Sequence, residues 1–474
     1  MKKVLVLLLA LALLSGCNTV ISENKTSDSS TSTLSFKDSE LDSSYSINGS
    51  TYIELDDEDI KISKGGTYIL SGELNDASII IETSDSEKVQ LVLDGVTINA
   101  NDFAGIYIVE SDEVTITLAE NSVNTITDNG TYTQIDSNSV DALIFSKADL
   151  TINGSGTLVL KSDYNHGVVS KDDLIITGGT YDIDVAGQGL SGKDCLKISD
   201  GIFNIDSGKD ALKSDNSEDA DRGFVYITGG TFILNSYADG IYGYNLVKIE
   251  GGTFDITTNT ANSADSFKAI KSDYLIEISA GTFTINSADD GIHSNGNILI
   301  SDGEFIIESS DDGIHADGLV QIDNGNITIN AHEGIEGTYV LINDGTVNIN
   351  ATDDAINAGQ KSDAYTPTIE INGGYITVNV SQGDTDAIDS NANIYVNGGT
   401  LDITAQSPFD YDGTAEYNGG TIIVNGTQTN TITNQMMMGM GGFGSMMPST
   451  DGNTQFPNGN QMPQGGQPGF GKHH

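Results

Sequence analysis

The chain has 474 residues, and its 68 acidic against 20 basic side chains give a formal charge of −48. That balance excludes nucleic acid as a partner, because a phosphate backbone needs cations to neutralise it. Such acidity accompanies disorder in some chains, but the apolar alternation described below is too regular for that.

Lys2 and Lys3 precede an apolar run from Val4 to Leu14, which ends in Leu14-Ser15-Gly16-Cys17. A charged start, a short apolar stretch and small residues describe a secretory signal, too short to span a bilayer as a helix. The last four residues resemble a bacterial lipoprotein box. The resemblance implies that 1–17 is removed before Cys17, whose thiol carries lipid. The protein is then held on the extracytoplasmic face of the cell membrane through that anchor alone. Several acyl chains, at about 0.8 kcal/mol per buried CH₂, anchor stably. Residues 18–44, Ser/Thr-rich over their first half, read as a flexible tether.

Residues 45–435 read as one elongated, monomeric domain. Its start, 45–140, is less regular. Gln90–Asn99 and Val114–Leu118 alternate as strands, Ala104-Gly105-Ile106 resembles the later repeat, and this part is expected to cap the first rungs. From there a repeat takes over. Asp-Asp-Gly-Ile-His occurs twice, with Gly291 and Gly313 separated by 22 residues. Aligned on that Gly, or an Ala in its place, units are anchored at Ala142, Gly167, Gly189, Ala211, Gly240, Ala269, Gly291, Gly313, Gly334, Ala355 and Ala387. A period in the range of roughly 20–50 residues signals a stacked array. Each unit holds three short alternating pieces and no helix-period run. Pairs such as Gly251-Gly252 and Asp302-Gly303 supply corner turns. The expected fold is all-β: a right-handed parallel β-helix of about 22-residue rungs. Cys195 lies in a strand and reads as packing.

The tail 436–474, rich in Met, Gly, Pro and Gln, cannot form a core and reads as disordered. Its Met residues and His473-His474 offer ligands to a soft metal, against the plainer reading of a spacer.

In-register stacking turns repeats into columns. The residue before each anchor is Asp210, Asp239, Lys268, Asp290, Asp312, Glu333, Asp354 and Asp386 in successive units. Two positions after the anchor come Lys213, Tyr242, Lys271, His293, His315, Glu336, Asn357 and Asp389. Carboxylates about 5 Å apart repel by roughly 3 kcal/mol at an effective dielectric of 20. Protonation, salt or a bound cation relieves this. Asp289, Asp290, Asp311, Asp312, Glu333, Asp353 and Asp354 are the candidate ligands for Ca²⁺, which takes oxygen donors. The alternative is that these acids bond turn amides. No calcium-loop motif is present, so this reading rests on stacking. His293 and His315, placed one above the other, admit a transition metal or a simple bond to a carboxylate.

The lipobox, the Gly-Gly-Thr-Phe/Tyr turns (Gly252-Thr253-Phe254 among them), the DDGIH anchors and the Met/Gly/Pro tail together resemble the carbohydrate-binding β-helix family of cellulose-degrading clostridia. The resemblance covers about 50–426 and implies a pectate-lyase-like helix, bound calcium, and binding of cellulose- or pectin-like polysaccharide without catalysis. Tyr237, Tyr242 and Tyr244 are the candidate stacking platforms, with His293 and His315 beside them. The alternative is a calcium-dependent polysaccharide lyase, whose base would be Lys213, Lys268 or Lys271. Nearby carboxylates raise a Lys pKa and work against that role. A third reading is an adhesin or spacer.

Overall fold

The fold is that of a computed structural model, which describes residues 34–130, 132–259, 266–381 and 385–434. Cys17, the leader and the tail 436–474 lie outside the described residues.

Strands from Thr51–Leu55 to Thr421–Val424 wind into a parallel β-helix with three strands in most rungs. The first face carries Leu212–Ser214, Ile241–Gly243, Ile270–Ser272 and Ile292–Ser294, each paired in parallel with the next. The second face carries Phe224–Ile227, Leu246–Ile249 and Leu275–Ile278. The third carries Thr231–Ser236, Thr253–Thr258, Thr282–Ser287 and Glu304–Ser309. Three-residue strands on the first face show buried ends and a half-buried middle. Period-two alternation therefore sends every middle residue of that face outward, into one column.

The interior is a stack of identical layers. Tyr181, Phe203, Phe232, Phe254, Phe283 and Phe305 lie ring on ring at 4.7–4.8 Å, the spacing of neighbouring strands. The Gly-Gly-Thr-Phe turn serves this ladder. Gly252 has φ +119°, and a Cβ there would stand 3.0 Å from the Phe254 ring. The anchor position is tight for a different reason: a Cβ on Gly291 would meet the Gly313 carbonyl at 2.6 Å, and every anchor from Gly167 to Ala387 is Gly or Ala.

The anchors stack as the repeat requires, each backbone N–H donating to the carbonyl before the next anchor, from Gly189 to Asp210 through Ala355 to Asp386. One assignment shifts. Val168 pairs with Ile144 and His166 with Ala142, so Leu143, not Ala142, lies over Gly167. Leu143 has the bulk of a core residue and is fully buried, and it breaks the small-residue pattern on which the alignment rested.

The far end closes with an antiparallel hairpin, Thr421–Val424 with Thr427–Thr429. The stretch 18–44 is not a free tether over its described part. Residues 34–44 lie along the second face as a strap that includes the short helix Asp38–Leu41. Carbonyls of Ser35, Glu40, Asp42 and Ser44 accept from Lys197, Thr177, Asn153 and Gln90 in turn, so the strap crosses several rungs. Beneath it, Asp173–Ile176, Cys195–Ile198 and Phe224–Ile227 are buried at every position. Cys195 packs there with Phe224 and Tyr226, and Phe36 of the strap stacks on Tyr226 at 5.7 Å.

Candidate functional site

The outward middle residues of the first face form an unbroken column. Lys213, Tyr242, Lys271, His293, His315, Glu336, Asn357, Asp389 and Asp410 are register partners in succession. The acids before the anchors run beside it. Several of them also cap the next rung: Oδ1 of Asp210, Asp239, Asp290 and Asp354 accepts the backbone N–H of Asp239, Lys268, Asp312 and Asp386. Turn capping and ion binding are thus compatible, since each carboxylate keeps a second oxygen.

The column divides into three zones. In the first, lysines neutralise acids. Lys213 lies 2.9 Å from Asp210, Lys271 lies 3.6 Å from Asp239, and Lys268 contacts Asp289 at 2.5 Å and Asp290 at 3.1 Å. Burial pulls the Lys213 and Lys268 pKa values down, but Asp210 and Asp290 with their neighbours outweigh it and hold both above the ordinary lysine value. This opposes a general-base role.

Tyr242 sits inside this zone. The Lys213 and Lys271 ammonium groups stand 5.4 and 5.2 Å from its ring centroid, and its hydroxyl donates to Asp273. A ring held between two cations has no face for a sugar, so Tyr242 is not a platform. Nor do the three expected tyrosines form a cluster. Tyr237 is exposed in the turn before the anchor, and Tyr244 lies in the turn after the column. There Tyr244 meets Tyr274 edge to face at 5.6 Å. Tyr274, missed in the sequence, is 56% exposed. On the next rungs Gly296 stacks on Tyr274, then the buried Gly318 on Gly296. The Tyr365 ring lies 3.3 Å from where a Cβ on Gly318 would stand, and packs against Tyr339. The signal was the fifth residue after the anchor, which reads Tyr274, Gly296, Gly318 in successive units.

The second zone pairs histidine with carboxylate. His293 Nδ1 is 2.6 Å from Asp290 Oδ2, and His315 Nδ1 is 2.6 Å from Asp312 Oδ2 and 3.2 Å from Glu336 Oε2. Burial works against ionisation of Asp290, but His293 and Lys268 outweigh it and hold its carboxyl well below the usual range.

The third zone has acids and few bases. Burial, then Asp312, Glu336 and Asp354, push Glu333 up to about 7 despite its bond from Asn357. Burial, then Asp386, Asp353 and Asp410, push Asp354 to about 6. Burial, then Asp354, Asp410 and Asp386, push Asp389 to about 7. Asp410 is 8% exposed and its Oδ1 has no hydrogen-bond donor. Amides on the same scaffold need no such help: Asn343, Asn372, Asn397 and Asn418 bond one another from rung to rung at 2.8–2.9 Å.

Of the candidate calcium ligands, Asp289, Asp290 and Asp311 come together, their donor atoms within 4.8 Å of one another. Lys268 already supplies that group with a cation. Glu333 and Asp353 gather with His332. Asp312 gathers with His315 and Glu336, whose carboxylate also receives Lys361 at 3.0 Å. Asp354 feels the charges of Asp386 and Asp410 and acts in turn on Asp389, three acids that sequence reasoning left out of its ligand set.

The family described as carbohydrate-binding domain-containing protein matches residues 56–313 and 311–437. A prokaryotic membrane lipoprotein lipid attachment site matches 1–18. Among the described residues no helix is long and apolar enough to cross a membrane. A carbohydrate-binding domain-containing protein of Acetivibrio thermocellus is 37% identical over 129 residues, 27% of this chain. The match spans 45% of that relative, under half its length. A solved structure titled as the polysaccharide lyase-like protein from C. thermocellum, a gadolinium derivative, is 27% identical with a TM-score of 0.42. It covers 54% of this chain and 99% of its own.

Proposed function

The chain belongs to the carbohydrate-binding domain-containing protein family, and from that premise we propose that it is a non-catalytic, calcium-loaded polysaccharide receptor, lipid-anchored on the outer face of the cell membrane. The ligand class is a long cellulose- or pectin-like glycan. The observation that carries the reading is the corner beside the column. Tyr274 offers an exposed ring, set edge to face with the half-buried Tyr244, and Tyr365 packs over the same corner at Gly318. Rungs about 4.8 Å apart give a repeating polymer a repeating surface.

Calcium belongs at the acidic end, with Asp354, Asp386, Asp389 and Asp410 as oxygen donors. Support comes from Asp410, whose buried Oδ1 lacks a donor, and from mutual repulsion there that a cation would relieve. A charge of −48 favours a neutral glucan over a polyuronate unless the ion bridges to the uronate.

Binding to cellulose oligomers and to polygalacturonate, measured by calorimetry with Ca²⁺ and again with chelator, tests this. Tyr274→Ala is expected to weaken binding about tenfold, the equivalent of roughly 1.4 kcal/mol, while Tyr242→Phe leaves it unchanged. No binding to any glycan would favour the adhesin or spacer reading. A calcium-dependent rise in ultraviolet absorbance from an unsaturated uronate product would favour the lyase.

A further inference from the structure

We propose that the second zone is a binding site for a divalent transition metal, with Zn²⁺ as the probe, distinct from any calcium at the acidic end. The two DDGIH copies place His293 and His315 on adjacent rungs with ring centroids 4.8 Å apart. Donor atoms of Asp290, His293 and His315 lie within 4.8 Å of one another, and so do those of Asp312, His315 and Glu336. His315 belongs to both groups.

The outer atom of the His293 ring is held: its Nε2 lies 2.9 Å from Asn295 Oδ1. That acceptor fixes a proton at Nε2 and leaves Nδ1 as the ligand atom, the arrangement that orients metal-bound imidazoles. His315 Nε2 is buried and makes no hydrogen bond, with Asp317 Oδ1 3.5 Å away. Both Nδ1 atoms face the carboxylates. A tetrahedral ion with bonds of about 2.0 Å needs donors about 3.3 Å apart. His315 Nδ1 and Glu336 Oε2 already stand at 3.2 Å, and the remaining donors close the rest by side-chain rotation. The protons now between each Nδ1 and its carboxylate leave to solvent as the ion enters.

Chemistry separates this site from a calcium site. Imidazole nitrogen suits Zn²⁺ and its neighbours, whereas Ca²⁺ takes oxygen. Lys268 near Asp290 and Lys361 near Glu336 offset two of the three carboxylate charges. That weakens the zone as an all-oxygen site and leaves the nitrogens as its distinguishing donors. The side chains of His293 and His315 are 12% and 13% exposed, so an ion reaches them from solvent.

The test uses the full chain carrying His473→Gln and His474→Gln, which removes the terminal histidine pair as a competing ligand. Calorimetry with Zn²⁺ in millimolar Ca²⁺ is expected to show one tight ion per chain. Co²⁺ is expected to give visible bands of a low-coordinate nitrogen and oxygen site. His315→Gln should abolish both signals. Asn295→Ala, which spares the core and the ligands, should lower affinity 10–100-fold. Asp389→Asn should leave Zn²⁺ binding unchanged. Absence of Zn²⁺ binding, its full displacement by Ca²⁺, or binding indifferent to both His315→Gln and Asn295→Ala would overturn the proposal.

Discussion

Glu40 and Lys197, 157 residues apart in the chain, form an ion pair at 3.2 Å with side chains only 2% and 3% exposed. The pair fastens the strap to the second face. The strap's outermost described contacts, Phe36 on Tyr226 and Ser35 on Lys197, fall well inside the stack of rungs and not at its first turn.

Removing one partner of such a pair leaves a buried charge uncompensated, at a cost of about 3–5 kcal/mol. Glu40→Ala is therefore expected to release the strap. Hydrogen exchange should speed up over 34–44 and over the outward amides beneath it, while the aromatic ladder stays protected. Glu40→Leu with Lys197→Met should restore much of the protection. Unchanged exchange in Glu40→Ala would show that Phe36 and the backbone bonds hold the strap unaided.

The ladder predicts a graded response to truncation. Phe254 touches rings above and below at 4.7 Å and is buried. Phe254→Ala is expected to cost about 3–5 kcal/mol in urea unfolding. Phe254→Leu should cost less, because it retains volume and loses only the stacking, about 0.5–1.5 kcal/mol per pair. Equal losses for the two would mean that the stack contributes volume alone.

The acidic end sets a pH dependence. Glu333 and Asp389 titrate near 7 and Asp354 near 6 in the folded protein, against roughly 4 when unfolded. The folded state thus holds protons more tightly. This contribution to stability is full below pH ~4 and is lost as pH rises through 6–7. In chelator, the melting temperature should fall between pH 5 and 8. Asp290, held low by His293 and Lys268, acts only in stronger acid, outside this window. A melting temperature that rises with pH in chelator would contradict the assignment.

Calcium should reverse that loss. Above pH 7 added Ca²⁺ is expected to raise the melting temperature, and at pH 5, where the same carboxyls hold protons, to do little. Asp389→Asn removes one charge from the cluster. It should raise stability in chelator at pH 7.5 and shrink the calcium response. A full response in Asp389→Asn would place the ion elsewhere.

Much of the site was legible before any coordinates. A repeat with fixed offsets forces equivalent residues into columns once strands pair in register, so Lys213 through Asp389 could be aligned by counting. The third-zone set was cut short because Asp410 falls after a strand break and carries no DDGIH signature. The strap was hidden for another reason. Its own sequence is polar, and its docking shows only in its partner, where Ile175, Cys195, Phe224 and Tyr226 put apolar bulk on positions that should face water. Tyr242 was misjudged because neighbours along the column, not along the chain, cover its ring.

The amino-acid order by itself determined the rung, its three strands, the inward residues and the succession of charges along one face. Alternation and glycine turns act over a few residues, and stacking repeats them. Only the tertiary structure decided which acids a lysine neutralises, which aromatic ring stays open and where the strap lies. Those depend on contacts between rungs and across faces, where side-chain reach and burial, not sequence distance, select the partner.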